Sequence, residues 1–180
     1  MKVEYQEVND YSSELFSEAM KIYVDSFPAN ERQSIQTIKE RMDANKSRLY
    51  VGTNNNQVVC MALVWYFSES EFVLLDYMAV KENYRQHQIG SDFFKHLTNS
   101  IIPKDKTTIM EVEHPDFGDN AEERKKRVDF YLNNGAYIID DFIYLLPPLD
   151  GTIPTKMILM ICPSLNFIPL THQKIGRAHV

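Results

Sequence analysis

Val3 and Tyr5 alternate with polar neighbours over residues 2–8, the period of a half-buried strand, and Asn9-Asp10 closes it as a helix N-cap. Leu15, Phe16, Ala19, Met20, Ile22, Tyr23 and Phe27 then recur at helical spacing until Pro28 ends the run. Beyond the loop 29–32, Ile35, Ile38 and Met42 mark a second, short amphipathic helix that ends near Asn45. Residues 48–53 and 57–67 flank Asn54-Asn55-Asn56, and because asparagine tolerates positive φ the three segments predict a hairpin. A third strand over 72–80 follows the polar turn Ser68-Glu69-Ser70.

The second half begins with a helix over 89–101, striped by Phe93, Phe94 and Leu97 and closed by Pro103. It carries the chain back so that a strand over 107–113 lies beside 72–80 in a right-handed crossover. A helix over 121–134 ends at Gly135, and strands over 137–146 and 156–161 are separated by residues 147–151. The order is strand, two helices, three strands, helix, strand, helix, two strands. It predicts an α/β chain with a mixed sheet of about seven strands and about four helices.

Composition narrows the class. The chain has 180 residues, 44% hydrophobic and 24% charged, enough for one core and too few for two ordinary domains, so residues 1–165 read as a single unit. Its 25 acidic and 19 basic side chains leave a net charge of -6, which argues against nucleic acid and favours cationic or neutral partners. The cluster Arg124, Lys125, Lys126, Arg127 reverses that sign locally, as a solvated helix face or a phosphate contact. Cys60 and Cys162 lie in separate apolar runs, read as buried thiols of a reducing compartment, and no metal spacing of Cys and His occurs. No signal-length apolar core follows Met1 and no window approaches a membrane span, so a cytoplasmic protein with no membrane partner is expected. Residues 174–180 do not continue the last strand's pattern; they match a heptapeptide encoded by one frame of a common sequencing-library adapter, and are expected to be non-native.

The stretch with most chemistry runs from Leu75 through Val80, Arg85, Gln86, His87, Gln88, Ile89 and Gly90 to Ser91. A buried strand enters a polar loop that opens a helix, and the free N–H groups of a first helical turn, with the macrodipole, favour an anion such as a pyrophosphate. Any strand-loop-helix passage presents such groups, so by chemistry alone a plain structural connection stays open. The wording of the loop resembles the phosphate-binding motif of the Gcn5-related N-acetyltransferase (GNAT) superfamily: Arg or Gln, two residues, Gly, one residue, then Gly or Ala, after a Val-ended strand. Arg85 and Gly90 stand at its ends, while Gln88 replaces the first Gly, at a cost of roughly 1–2 kcal/mol if that position is left-handed.

Phe130, Tyr131 and Gly135 match a second superfamily pattern at the end of the last helix, although Arg124 and Arg127 replace its usual Asn and Ala. Leu146-Pro147-Pro148-Leu149 and the segment from Phe27-Pro28 to Glu31-Arg32 are similar to uncharacterised bacterial members. The resemblance spans residues 2–162. It implies a GNAT-like, mostly antiparallel sheet and an N-acetyltransferase that moves an acetyl group from acetyl-CoA to a primary amine of a small molecule or peptide, with no metal. It also implies that Met78, Ala79 and Val80 hold the pantetheine arm, that residues 85–91 hold the pyrophosphate, and that Tyr131 protonates the coenzyme thiolate. Glu31 and Arg32 fall where the family builds its acceptor site. A homodimer through the late strands is also open.

Acyl transfer to an alkyl amine needs a base, since an ammonium of pKa near 10.4 is neutral in roughly one molecule per thousand at neutral pH. Glu111 and Glu113 share one face of their strand and are the candidates, Glu113 favoured because it lies nearest the strand's C-terminal end, with Asp76 on the neighbouring strand a third. Glu113 could equally be an ion-pair partner of Arg124 and Arg127, and Tyr131 a packing residue. Gln88 and the missing helix Asn also allow a second reading, a sensor module of this fold that binds acyl-CoA without transfer.

Overall fold

The computed structural model describes residues 1–117, 120–147 and 154–163; the expectations for residues 148–151 and for the tail 174–180 lie outside them. In chain order come β1 (Glu4–Val8), α1 (Glu14–Ser26), α2 (Ile35–Asp43), β2 (Ser47–Asn54), β3 (Gln57–Tyr66) and β4 (Phe72–Val80). Then follow α3 (Ile89–His96), β5 (Thr107–Glu113), α4 (Ala121–Asn133), β6 (Tyr137–Leu146) and β7 (Thr155–Cys162). The strands form one seven-stranded sheet in the order β1-β2-β3-β4-β5-β7-β6. Every neighbouring pair is antiparallel except β4 and β5, which the α3 crossover makes parallel.

Local chemistry accounts for the boundaries. Asn55 and Asn56 take φ of 48° and 63°, so the asparagine triplet makes the β2–β3 turn with positive φ at both central residues. The cap of α1 differs from the expected Asp10: Ser13 accepts from the Phe16 N–H at 3.2 Å. Asp10 is used one turn earlier, accepting from the Ser12 N–H and hydroxyl. The helix predicted over 89–101 is regular only to His96; its last turn, Leu97–Ile101, is wider and closes with the Ile102 N–H on the Leu97 carbonyl.

Alternation splits the core into two layers. On one face α3 and α4 cover Val73, Leu75, Met110, Val112, Ile158 and Met160. On the other, α1 and α2 cover Leu49, Val51, Met61, Leu63, Tyr77 and Ala79. Each large side chain buried this way contributes about 1.5–3 kcal/mol. Gly52 lets β1 and β3 close on β2, because a Cβ there would sit 2.5 Å from Cys60 Sγ and 2.9 Å from Val3. Cys60 is fully buried, which pushes its thiol up to about 12, and both cysteines are free. No helix among the described residues is long and apolar enough to cross a membrane.

Candidate active site

The sheet opens at its centre. Parallel pairing of β4 with β5 covers only Phe72↔Thr107, Val73↔Thr108 and Leu74↔Ile109, and then the strands part. Lys81 N–H donates to the Val59 carbonyl on β3, so strand alternation turns the backbone groups of Met78 and Val80 away from β3 and toward the gap. Apart from the Val80 carbonyl, which accepts from Arg85 Nε, these are strand-edge donors and acceptors of the kind that hold an extended amide-bearing chain. Ala79, between them, is buried against α1 and α2.

The loop at the end of β4 has the local geometry an anion needs. Gln86 and Gln88 both take left-handed backbone, with φ of 67° and 62°. The strain anticipated at Gln88 is thus present, and it is doubled within the same loop. Asp92 N–H makes the first helical hydrogen bond, onto the Gln88 carbonyl, so the amides of Ile89, Gly90 and Ser91 precede it and carry no intrahelical partner. A Cβ on Gly90 would stand 3.4 Å from the Phe130 ring and 3.5 Å from Val80, so glycine lets α3, α4 and β4 meet at this corner. Asn134 Nδ2 donates to Ser91 Oγ at 3.2 Å and ties the end of α4 to the same turn. Arg85 is exposed and folds back on its own loop: its Nε donates to the Val80 carbonyl, and His87 Nδ1 lies 2.8 Å from the Arg85 carbonyl.

A β-bulge shapes the other side. Leu63 and Val64 of β3 face Tyr77 and Leu75 of β4, leaving Asp76 as the extra residue. Asp76 therefore points to the same face as Tyr77, where Arg41 of α2 lies 3.7 Å away, itself stacked 4.0 Å from the Trp65 ring centre. Burial pushes the Asp76 carboxyl up to about 6; Arg41 opposes the shift and Glu111 adds to it. Glu111 is thus brought within electrostatic reach of Asp76, across the gap from β5.

Glu113 makes the ion pair with Arg124 and Arg127 that its sequence position allowed. Arg124 and Arg127 of α4 hold its two oxygens at 2.8 and 2.6 Å, and its side chain is only 12% exposed. A carboxylate clasped by two guanidiniums has its lone pairs committed to them. Glu31 reaches this cluster from the short turn Ala29–Glu31: burial raises its carboxyl pKa, Glu113 adds to that, and Arg127 and Arg124 work against it. Two tyrosines fix the approaching loop. Tyr77 donates its hydroxyl to the Glu31 carbonyl at 2.8 Å, and the Tyr23 hydroxyl accepts from the Gln33 N–H at 2.8 Å, with the two rings edge to face.

Tyr131 lies on the opposite face, 9% exposed, against Phe94 and Phe130. Burial pushes its hydroxyl up to about 12, with Arg127 pulling the other way. It stays protonated at any physiological pH.

The structure thus gathers Glu31, Asp76, Glu111 and Glu113 around one end of the gap and the 85–91 loop at the tip of β4. The sequence reading missed Arg41 and Gln33. Both reach the site from segments far away in the chain, and neither carries a local pattern. Asp76 had a usable signal, a lone charge inside the apolar run Phe72-Val73-Leu74-Leu75 and Tyr77-Met78.

No protein-family model matches the sequence, and no curated protein matches it. Solved structures do. The chain is similar to a protein of Bacteroides thetaiotaomicron assigned to the GNAT family of acetyltransferases, with TM-score 0.76 and 21% identity over 91% of this chain and 88% of that one. It is similar to an aminoglycoside 6'-N-acetyltransferase complexed with coenzyme A, with TM-score 0.68 and 15% identity over 92% and 99%. It is also similar to the ribosomal-protein-S18-alanine N-acetyltransferase of Escherichia coli, with TM-score 0.61 and 16% identity over 93% and 100%. The fold is that of the GNAT acetyltransferases.

Proposed function

We propose that the chain transfers an acetyl group from acetyl-coenzyme A to a primary amine. The observation that carries this is the parting of β4 and β5 after three residue pairs, with a loop of unpaired amides at the end of β4 and the buried carboxyl of Asp76 within electrostatic reach of Glu111 on β5. The amides of Ile89, Gly90 and Ser91 would take the pyrophosphate, and the backbone of Met78 and Val80 the pantetheine arm. Bound there, the thioester supplies an activated acyl group and a thiolate leaving group.

Asp76 is the base we favour. Burial raises its proton affinity toward neutrality, and the charge of Glu111 raises it further. The amine gives its proton to Asp76 as its nitrogen bonds the acyl carbon. Tyr131, protonated and on the other face of the sheet, offers its hydroxyl to the sulfur as the thiolate departs. Base and acid thus flank the gap on opposite faces, and neither needs the other's proton. Glu113 serves by holding α4, and with it Tyr131, to β5.

Coupled assay of coenzyme A thiol release against a panel of primary amines tests this reading. Amine-dependent release that fails in Asp76→Asn supports it; binding of acetyl-CoA without release for any amine would favour a sensor instead.

A further inference from the structure

Arg32 Nε and Gln33 Oε1 are sealed from solvent and have no hydrogen-bond partner. A buried donor or acceptor left unpaired is expensive, and native folds keep few of them unless something else completes them. Here one donor and one acceptor stand on adjacent residues of the loop that two tyrosine hydroxyls pin to the sheet. The loop is held from its backbone, which leaves the side chains of Arg32 and Gln33 uncommitted.

The charges around them sharpen the point. Four guanidiniums surround this side of the gap. Arg41 is matched by Asp76, and Arg124 and Arg127 by Glu113. Among the described residues no carboxylate lies within ion-pair distance of Arg32. Burial pushes the Tyr23 hydroxyl up, while Asp76 raises it and Arg32 lowers it, so both charges stand within reach of one ring. The carboxyls of Asp76 and Glu31 are both drawn toward their neutral forms, which leaves the positive charge of Arg32 less compensated still.

Resting on the acetyl-transfer reading, we infer that the acceptor is a zwitterion of the amino-acid type. Its amine meets Asp76 and Glu111 and its carboxylate takes the Arg32 guanidinium, with the side chains of Arg32 and Gln33 turning out of their buried, unpaired positions to meet it. A guanidinium matches a carboxylate geometrically and cannot lose its charge, so the same residue repels a second ammonium. Polyamines and other purely cationic amines are therefore excluded by the wall that selects the acid.

The experiment compares matched triplets: free α-amino acids, their carboxamides and the corresponding amines lacking the carboxyl group. Each is offered with acetyl-CoA to the wild-type chain, to Arg32→Gln and to Arg32→Lys, and thiol release is read as kcat/KM. The inference predicts that for at least one side chain the acid exceeds both analogues by about 10- to 100-fold, mostly in KM. Arg32→Gln levels the triplet, and Arg32→Lys restores part of the preference. Carboxamides or plain amines used as well as the acids, a preference untouched by Arg32→Gln, or acetyl-CoA binding with no triplet member consumed each overturns it. Failure to bind acetyl-CoA, read by calorimetry in parallel, instead removes the transfer reading beneath it.

Discussion

Asp76 Oδ2 stands 3.7 Å from Arg41 Nη1, too far for a tight hydrogen bond and near enough to restrain the charge of a buried carboxylate. The contact moderates burial without cancelling it, and the carboxyl settles at about 6 instead of its ordinary 3.8. For catalysis, the form that accepts a proton fills as pH rises through about 6. The acid limb of kcat/KM should therefore sit there in the wild type, and Asp76→Asn should lower turnover by roughly 10²- to 10⁴-fold. A wild-type profile flat from mildly acidic to neutral pH would remove Asp76 from the chemistry.

The same shift governs stability, with the opposite trend. Between 3.8 and about 6 the folded chain holds a proton that the unfolded chain has released, so this contribution is present below 3.8 and is lost as pH rises through about 6. Asp76→Asn cannot ionise and should gain on the wild type by up to roughly 3 kcal/mol between about pH 4 and pH 7. Urea denaturation at the two pH values measures the gain, and a difference independent of pH would contradict it.

Glu113 calls for a contrasting outcome. Glu113→Gln leaves Arg124 and Arg127 without their partner while their surroundings stay half-buried, and should cost about 2–3 kcal/mol. Thermal melting reads the loss. The pH profile of the remaining activity should keep its midpoint if Asp76 is the proton acceptor as proposed; a shifted acid limb would restore Glu113 as the base.

Much of this was readable in advance, and the exceptions have physical causes. Period-two and helical patterns located β4, β5 and the asparagine hairpin because each buries a face, and burial writes hydrophobic residues at fixed intervals. The bulge at Asp76 left no such mark: one inserted residue changes which face a side chain takes without changing composition. Glu113 was visible as a carboxylate, but its choice between base and ion pair depended on whether α4 places Arg124 and Arg127 within reach. The pairing of Tyr77 with the Glu31 carbonyl joins residues 46 apart in the chain, and only the folded sheet brings them together.

Tyr131→Phe separates chemistry from packing. The ring is retained, so stability should change by less than about 1 kcal/mol, while loss of the proton donor should lower kcat by roughly 10²-fold or more. Full turnover in that variant would make Tyr131 a packing residue alone.

Gln88 tests the loop. Replacing it by Gly relieves a left-handed backbone at φ 62° and should raise stability by about 1 kcal/mol, read as a higher melting temperature. Unchanged or lower stability would show that contacts of the glutamine side chain outweigh the strain.

The most direct test of the central claim is calorimetric titration of acetyl-CoA into the wild-type chain and into Gly90→Val, with free coenzyme A as control. The account predicts micromolar binding by the wild type. In the variant, whose added side chain would crowd Phe130 and Val80 at the loop, binding should weaken at least about tenfold. Wild-type protein that is folded and binds neither acetyl-CoA nor coenzyme A would contradict the account and leave the resemblance as one of fold alone.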